Sequence, residues 1–268
     1  MSVGPYSVHV VAVAIAALLA WLVAHSMQRG QPGNSQKTAA NLLLDTLLVG
    51  LIAARAGYVL RWWPEYSAAP ASIIAIGDGG FTWWAGLPVA LVFVWWRTRQ
   101  AHALRRPALA GVAAGMLVWG LASGALTLVQ RATQPLPALQ VLAIDGTPVS
   151  LNSYAGKPIV LNLWATWCPP CRREMPILAK AQSDYPGVTF LMVNQGEDAQ
   201  VIRTFLEQQG LKFSHMLLDA SSKTMQTYGS RGLPTTLFFD GQGKLVDSHM
   251  GELTAARLKE TVQHHLTP

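Results

Sequence analysis

Charge and cysteine are what this sequence has least of. Charged residues make up 13% of its 268 positions and hydrophobic residues 51%. A soluble domain carries about 25% charged residues, so a wholly soluble chain is excluded and part of this one belongs in lipid. There are two cysteines, Cys168 and Cys171. A disulfide-stapled secreted fold needs more cysteines at wider spacing. A loop this short also constrains almost nothing in the unfolded chain. Chemistry is therefore the better reading of the pair. There is no second cysteine pair, and the nearest histidines, His215 and His249, lack ligand spacing. Half a zinc site is disfavoured on that ground, and no metal is expected. The net charge of +6 lies largely in short loops between apolar stretches, where basic residues orient membrane helices. It is not a nucleic-acid signal.

The apolar residues are concentrated in residues 1–130. Four stretches, roughly Tyr6–Ala24, Asn41–Leu60, Gly80–Trp96 and Pro107–Val129, each approach the roughly 20 residues that cross a bilayer as a helix. The third is the shortest and carries Pro88. The first lacks the basic start of a cleavable signal, since no Lys or Arg precedes Arg29, so it reads as a retained helix. Arg29 and Lys37 lie in the first loop, and Arg97, Arg99, Arg105 and Arg106 in the third. The positive-inside rule puts both loops in the cytoplasm and, with four crossings, both termini outside. Disulfide chemistry is common in that compartment. Residues 131–137, with Pro135 and Pro137, read as a stiff linker.

From residue 138 the period changes. Leu139–Ala143 and Pro148–Leu151 flank Asp145-Gly146, and Thr235–Phe239 and Lys244–His249 flank Asp240-Gly241, two hairpin signals. Ile159–Trp164 and Val188–Asn194 are apolar runs of buried-strand type. Helices are expected from about Pro169 to Ser183, over Ala199–Gln209 up to Gly210, and over Thr254–Leu266 with Thr254 as N-cap. Strand–helix–strand followed by a hairpin and a helix implies an α/β domain, a mixed sheet with helices on both faces. The expected whole is an all-α four-helix transmembrane domain over 1–130, a linker over 131–137, and this α/β domain over 138–268.

A disulfide exchanger needs an exposed thiol of lowered pKa and a second thiol near enough to resolve the mixed disulfide. Cys168 follows the central strand where the next helix begins, and unpaired N–H groups there favour a thiolate. Cys171 lies one turn later. Pro169 and Pro170 suit the first helical turn, and Arg172 and Arg173 add positive potential. The segment Asn162-Leu-Trp-Ala-Thr-Trp-Cys-Pro-Pro-Cys-Arg-Arg-Glu-Met-Pro176 resembles the active-site segment of thioredoxin-like proteins. It is most similar to the membrane-anchored periplasmic group related to TlpA, ResA and the cytochrome c maturation reductases. Gly232-Leu-Pro-Thr235, with Pro234 placed 66 residues after Cys168, resembles that group's cis-proline loop, which faces the cysteines and offers backbone to a substrate peptide.

The resemblance implies a thiol–disulfide oxidoreductase with Cys168 and Cys171 as its redox pair and no cofactor beyond that disulfide. It suggests that Glu174 tunes the thiols, against the plainer reading of a first-turn acid on a helix dipole. Asn162 stands where cytosolic thioredoxins carry a buried aspartate. Leu233, Pro234 and Trp167 are the candidate substrate contacts, although Trp164 and Trp167 also read as packing and shielding residues. The implied partners are protein thiols or disulfides, a transmembrane thiol relay as electron donor, and membrane lipids. The implied location is a bacterial inner membrane, with several spans and the C-terminal domain in the periplasm. Reductase is the expected direction. An oxidase of the same fold is the alternative, with lipid transfer or redox-inert binding behind it.

Residues 4–120 carry a second resemblance. Arg55-Ala-Gly-Tyr-Val-Leu60, Pro64-Glu-Tyr66, Pro70, Asp78-Gly-Gly80 and Gly86-Leu87 are similar to the first half of prolipoprotein diacylglyceryl transferases. Trp84 stands where that family has a functional histidine, and Gly115–Gly124 contains no arginine where the family has one. Indole cannot transfer protons in place of imidazole, so this half reads as a repurposed anchor. Asp45 and Arg55 are left as ionisable groups in or near the membrane that could hold lipid headgroups or pair with each other.

Overall fold

The computed structural model describes residues 2–3, 6–28, 39–99, 102–130 and 135–267, and it divides into two compact units. Unit 1 comprises Met1–Trp63 and Gly80–Ala132; unit 2 comprises Pro64–Gly79 and Thr133–Pro268. Arg29, Lys37 and residues 131–134 of the expected linker lie outside the described residues.

Unit 1 is helical apart from a two-residue ribbon, β1 (Ser2–Val3) and β2 (Tyr6–Ser7). Its helices are α1 (Val8–Gln28), α2 (Ala39–Arg61), α4 (Trp83–Thr98) and α5 (His102–Gln130). The short α3 (Trp63–Ala68) begins at its edge. The pairs α1/α5 and α2/α4 make the most extensive contacts, and glycine is what lets them approach. A Cβ at Gly86 would lie 2.7 Å from the Gly50 carbonyl oxygen and 2.8 Å from Ala54 Cβ. One at Gly111 would lie 2.8 Å from the Ala20 carbonyl oxygen. Close backbone packing of this kind holds helices together where no hydrophobic force acts between them. Among the described residues, one segment, Asn41–Arg61, is long and apolar enough to cross a membrane. Asp45 lies 4.0 Å from Arg97 rather than pairing with Arg55. The Arg55 guanidinium donates to the Gly80 carbonyl over 3.0 Å.

Unit 2 is built on a seven-stranded mixed sheet. Its strands are β3 (Gln140–Ala143), β4 (Pro148–Ser150), β5 (Ile159–Trp164), β6 (Thr189–Gln195), β7 (His215–Asp219), β8 (Thr235–Phe239) and β9 (Leu245–Met250). The spatial order is β4-β3-β7-β6-β5-β8-β9. β5, β6 and β7 run parallel, and the pairs at β3/β4, β3/β7, β5/β8 and β8/β9 are antiparallel. All six residues of β5 are buried, which explains its unbroken apolar run. Val160 and Trp164 point into one core with Phe190, Met192 and Phe238. Ile159, Leu161 and Leu163 point into the other, with Val193, Leu217 and Phe239.

Helices α6 (Pro169–Asp184), α7 (Ala199–Gln209) and α9 (Ala255–Thr261) cover the first core. The second is covered by α8 (Lys223–Thr227) and the turn Leu151–Tyr154. Both expected hairpins form. Gly210 closes α7 in the left-handed conformation, and Thr254 Oγ1 accepts from the Arg257 amide as N-cap. β7 and α8 were not anticipated. Each is five residues long, too short for a hydrophobic period to register.

One departure concerns domain boundaries. Residues 64–79, inside the stretch read as anchor, pack within unit 2. The Tyr66 hydroxyl donates to Asp78 Oδ2 over 2.8 Å, Thr254 Oγ1 donates to the same oxygen over 3.2 Å, and Lys259 Nζ lies 2.5 Å from Glu65 Oε1. Tyr66 and Asp78 are buried. These five polar groups, three of them charged, give the segment a fixed seat, which hydropathy alone does not reveal.

Substituting Gly86 by Leu is expected to lower the thermal midpoint of the purified chain by several degrees, because the α2/α4 approach must open. Gly120→Leu, with open space around its Cβ position, should leave it unchanged. Equal midpoints in the two variants would contradict the close-packing account.

Candidate active site

The redox pair sits where β5 ends and α6 begins. Cys168 is the N-cap of α6, with Pro169 and Pro170 in its first turn. The Cys171 amide points at Cys168 Sγ, 3.3 Å away, so a helix-terminal donor is aimed at the first sulfur. The two cysteines form a disulfide. Cys168 is 3% exposed and Cys171 fully buried. Trp167 next to them is 67% exposed, whereas Trp164 is enclosed. The two tryptophans therefore separate: one packs, and the other stands in solvent beside the first cysteine.

The arginines contribute unequally. Arg173 is paired with Glu252 at 2.5 Å, and Arg172 lies over the Phe205 ring, 5.4 Å from its centroid. The Leu233–Pro234 bond is cis. Thr235 pairs with Leu163 of β5, and the Leu233 side chain packs on the cluster that contains both cysteines. The Pro234 carbonyl accepts from the Gly251 amide over 2.8 Å. That oxygen is thus already engaged within the fold.

Glu174 is fully buried, three residues after Cys171 and on the same face of α6. Its Oε1 accepts from Asn162 Nδ2 over 2.7 Å, and its Oε2 from the Leu253 amide over 2.8 Å. Asn162 Nδ2 also donates to Thr236 Oγ1 over 3.0 Å. Asn162 and Thr236 are register partners across β5 and β8, so the sheet itself sets this geometry. Burial pushes the Glu174 carboxyl up to about 8; the Leu253 and Asn162 hydrogen bonds pull the other way, and the Glu252 charge adds to the rise. A hydrogen bond to a charged group contributes about 1.5–3 kcal/mol. Two of them here do not offset desolvation.

A second acid was missed in the sequence. Glu197 accepts from the Thr166 amide over 2.7 Å, from the Thr166 hydroxyl, and from Asn194 Nδ2 over 2.7 Å. It fastens the turn that leads into Trp167 and Cys168. The available signal was register: β5 and β6 are parallel, with Trp164 opposite Asn194, so whatever follows Asn194 lies beside whatever follows Trp164. Among the described residues no group of three or more His, Cys, Asp or Glu is placed to hold a metal ion.

Comparison with known proteins matches the two parts of the chain to different families. The Redoxin family matches residues 131–262, and the prolipoprotein diacylglyceryl transferase family matches residues 1–127. The thiol-disulfide oxidoreductase ResA of Halalkalibacterium halodurans is 34% identical over 122 residues, covering 45% of this chain and 69% of that protein. The ResA of Geobacillus thermodenitrificans is 37% identical, covering 46% of this chain and 69% of its own length. A solved structure of a thiol:disulfide interchange protein DsbE from Chlorobium tepidum, itself described as putative, superposes with a TM-score of 0.46 at 26% identity, covering 50% of this chain and 97% of that one.

The raised Glu174 carboxyl makes stability depend on pH. Its ordinary value is 4.5 and its folded value about 8. Below the first, both states are protonated and stability is intact. As pH rises towards 8 the unfolded chain ionises first, and stability is lost. The oxidised protein should therefore lose thermal stability between pH 5 and pH 8, and Glu174→Gln should flatten that decline. Parallel curves for the two proteins would rule out Glu174 as its source.

Proposed function

The chain belongs, through its C-terminal domain, to the ResA group of thiol–disulfide oxidoreductases, and we propose that it reduces protein disulfides outside the cytoplasm while anchored by its N-terminal helices. The observation that carries this is the closed Cys168–Cys171 disulfide at a helix start, beside a cis-proline loop and above a buried carboxyl. In the proposed cycle the reduced Cys168 thiolate attacks a substrate disulfide, and one substrate sulfur leaves as thiolate. Cys171 then attacks Cys168 in the mixed disulfide. The Cys168–Cys171 bond closes, the second substrate thiol is released, and two electrons have passed to the substrate.

Cys168 is the attacking thiol because the Cys171 amide is directed at its sulfur and Cys171 itself is enclosed. Glu174 takes the proton that Cys171 sheds as it attacks. A carboxyl near 8 is close in basicity to an ordinary thiol at about 8.5, the match that proton transfer favours. Leu233 and exposed Trp167 form the substrate contact, and Pro234 sets the loop through its Gly251 hydrogen bond.

Several stretches of the N-terminal half support a multi-pass anchor in an inner membrane, with the arginine-rich 97–106 region in the cytoplasm and the redox domain in the periplasm. An oxidising compartment keeps such a pair oxidised unless electrons are delivered. A transmembrane thiol relay is the donor that fits. With Trp84 in the place of the transferase histidine, no lipid-transfer chemistry is assigned to the anchor.

Two outcomes test this reading. Cys171→Ser is expected to accumulate mixed disulfides with cellular proteins through Cys168; trapping by Cys168→Ser instead would reverse the assignment. In cells, the pair should be found largely reduced and should become oxidised when the membrane relay is removed. A pair that is oxidised in unperturbed cells and that oxidises a reduced protein in vitro would identify an oxidase.

A further inference from the structure

Residues 252–254 form a turn between β9 and α9 that is held from four sides. Arg173 holds the Glu252 side chain, and His249 Nε2 lies 3.3 Å from the Glu252 carbonyl oxygen. The Leu253 amide donates to Glu174 Oε2 over 2.8 Å. The next residue, Thr254, donates its hydroxyl proton to Asp78 Oδ2 over 3.2 Å while accepting from the Arg257 amide. Asp78 is 2% exposed and Tyr66, which donates to the same carboxylate oxygen, is 1% exposed. One turn further on, Lys259 is paired with Glu65 at the other end of the segment. The 64–79 segment therefore grips α9 at its N-cap, Thr254, and in its last turn, Lys259, and adjacent peptide units join the first of these to the carboxyl beneath the redox pair.

We propose that Asp78 is a positioning residue for the disulfide chemistry: by holding Thr254 it fixes the 252–254 turn, and thereby the Leu253 amide that holds the Glu174 carboxyl. The 64–79 segment is on this account a working part of the redox domain rather than a connection between anchor helices. The inference rests on the reading of Glu174 as the group that tunes the thiols. The sign follows from the hydrogen bond. Without Asp78 the turn relaxes, and Glu174 loses a donor that favours its charged form. The carboxyl then stays neutral to higher pH and opposes the neighbouring thiolate less. The charged and titratable groups facing these two acids include Tyr66 and His249 around Asp78 and Glu252 around Glu174.

The test measures the pH midpoint of cysteine alkylation in the reduced full-length chain, held in detergent. Glu174→Gln is the reference and should lower the midpoint. Asp78→Ala should lower it in the same direction, by about half a pH unit, as expected for loss of one hydrogen bond to a charged form. The double variant should lie no lower than Glu174→Gln alone, since both changes act through one group. Asp78→Asn, which keeps an acceptor, should stay close to the native midpoint. An unmoved midpoint in Asp78→Ala while Glu174→Gln moves, or fully additive shifts, would overturn the coupling and leave the tuning role of Glu174 standing. An Asp78→Asn midpoint equal to that of Asp78→Ala would overturn the hydrogen-bond account. No shift in Glu174→Gln would remove the tuning role and the coupling together. If Asp78→Ala does not fold, Tyr66→Phe removes one donor from the same carboxylate. It should lower the midpoint too, and an unmoved midpoint in that variant overturns the proposal.

Discussion

The buried carboxyl of Glu174 is the constraint around which the redox domain is arranged. An ionised carboxylate in an apolar interior is costly unless it is hydrogen-bonded. Here one oxygen is served from the sheet by Asn162 and the other from the turn before α9 by Leu253. The carboxyl still rises to about 8, so it is neither a permanent charge nor a permanently neutral group. Asn162 is suited to both states. Its Nδ2 donates to the carboxylate, and its Oδ1 has no hydrogen-bond partner among the described residues. After a half-turn of the amide, that oxygen can accept from a protonated Glu174, while the Thr236 hydroxyl, a donor as well as an acceptor, can reverse its own bond.

The second organising fact is the direction of the strands. β5 and β6 run parallel and in register to their ends, so the segments after Trp164 and after Asn194 emerge together. This is the edge of an α/β sheet at which sites collect. It brings Glu197 onto Thr166 and gives the turn before Cys168 a fixed shape. β8, antiparallel to β5 on its other side, starts at that same edge and delivers the cis-proline loop there. Three consecutive strands in space thus supply the redox turn, its brace and the cis-proline loop, drawn from positions 166, 197 and 234 of the chain.

Much of this was legible in the sequence where it depended on local pattern. The unbroken run Ile159–Trp164 marks a strand buried on both faces, and the Cys-Pro-Pro-Cys start of α6 follows from helix N-terminal chemistry. The tertiary partners were not legible. Nothing near Glu174 in sequence points to Leu253, 79 residues away, and Glu197 looks like any loop acid until β6 is placed beside β5. The 64–79 segment was read as a link between anchor helices because its neighbours are apolar. Its affinity for the redox domain lies in Glu65 and Asp78, whose partners Lys259 and Thr254 are 194 and 176 positions further on, and in Tyr66, which holds Asp78 from within the segment. Short elements escaped for a related reason. β7 owes its place to pairing with β6 and β3, which a five-residue window does not contain.

Arg55 shows how an arginine in the transferase-like half can be held by packing. A buried guanidinium requires donors to be met and charge to be balanced. Arg55 has the Gly80 carbonyl at 3.0 Å and stands 5.9 Å from the ring centroids of both Tyr58 and Phe81. Such cation–ring contacts contribute about 0.5–2 kcal/mol, enough to favour its retention. Gly80 is correspondingly constrained: a Cβ there would come within 2.3 Å of the Tyr58 ring. The Arg55–Tyr58–Gly80 cluster therefore ties the end of α2 to the chain leading into α4, whether or not any lipid is transformed. These contacts give the three residues a packing role of their own, and the arginine by itself is no sign of transferase activity.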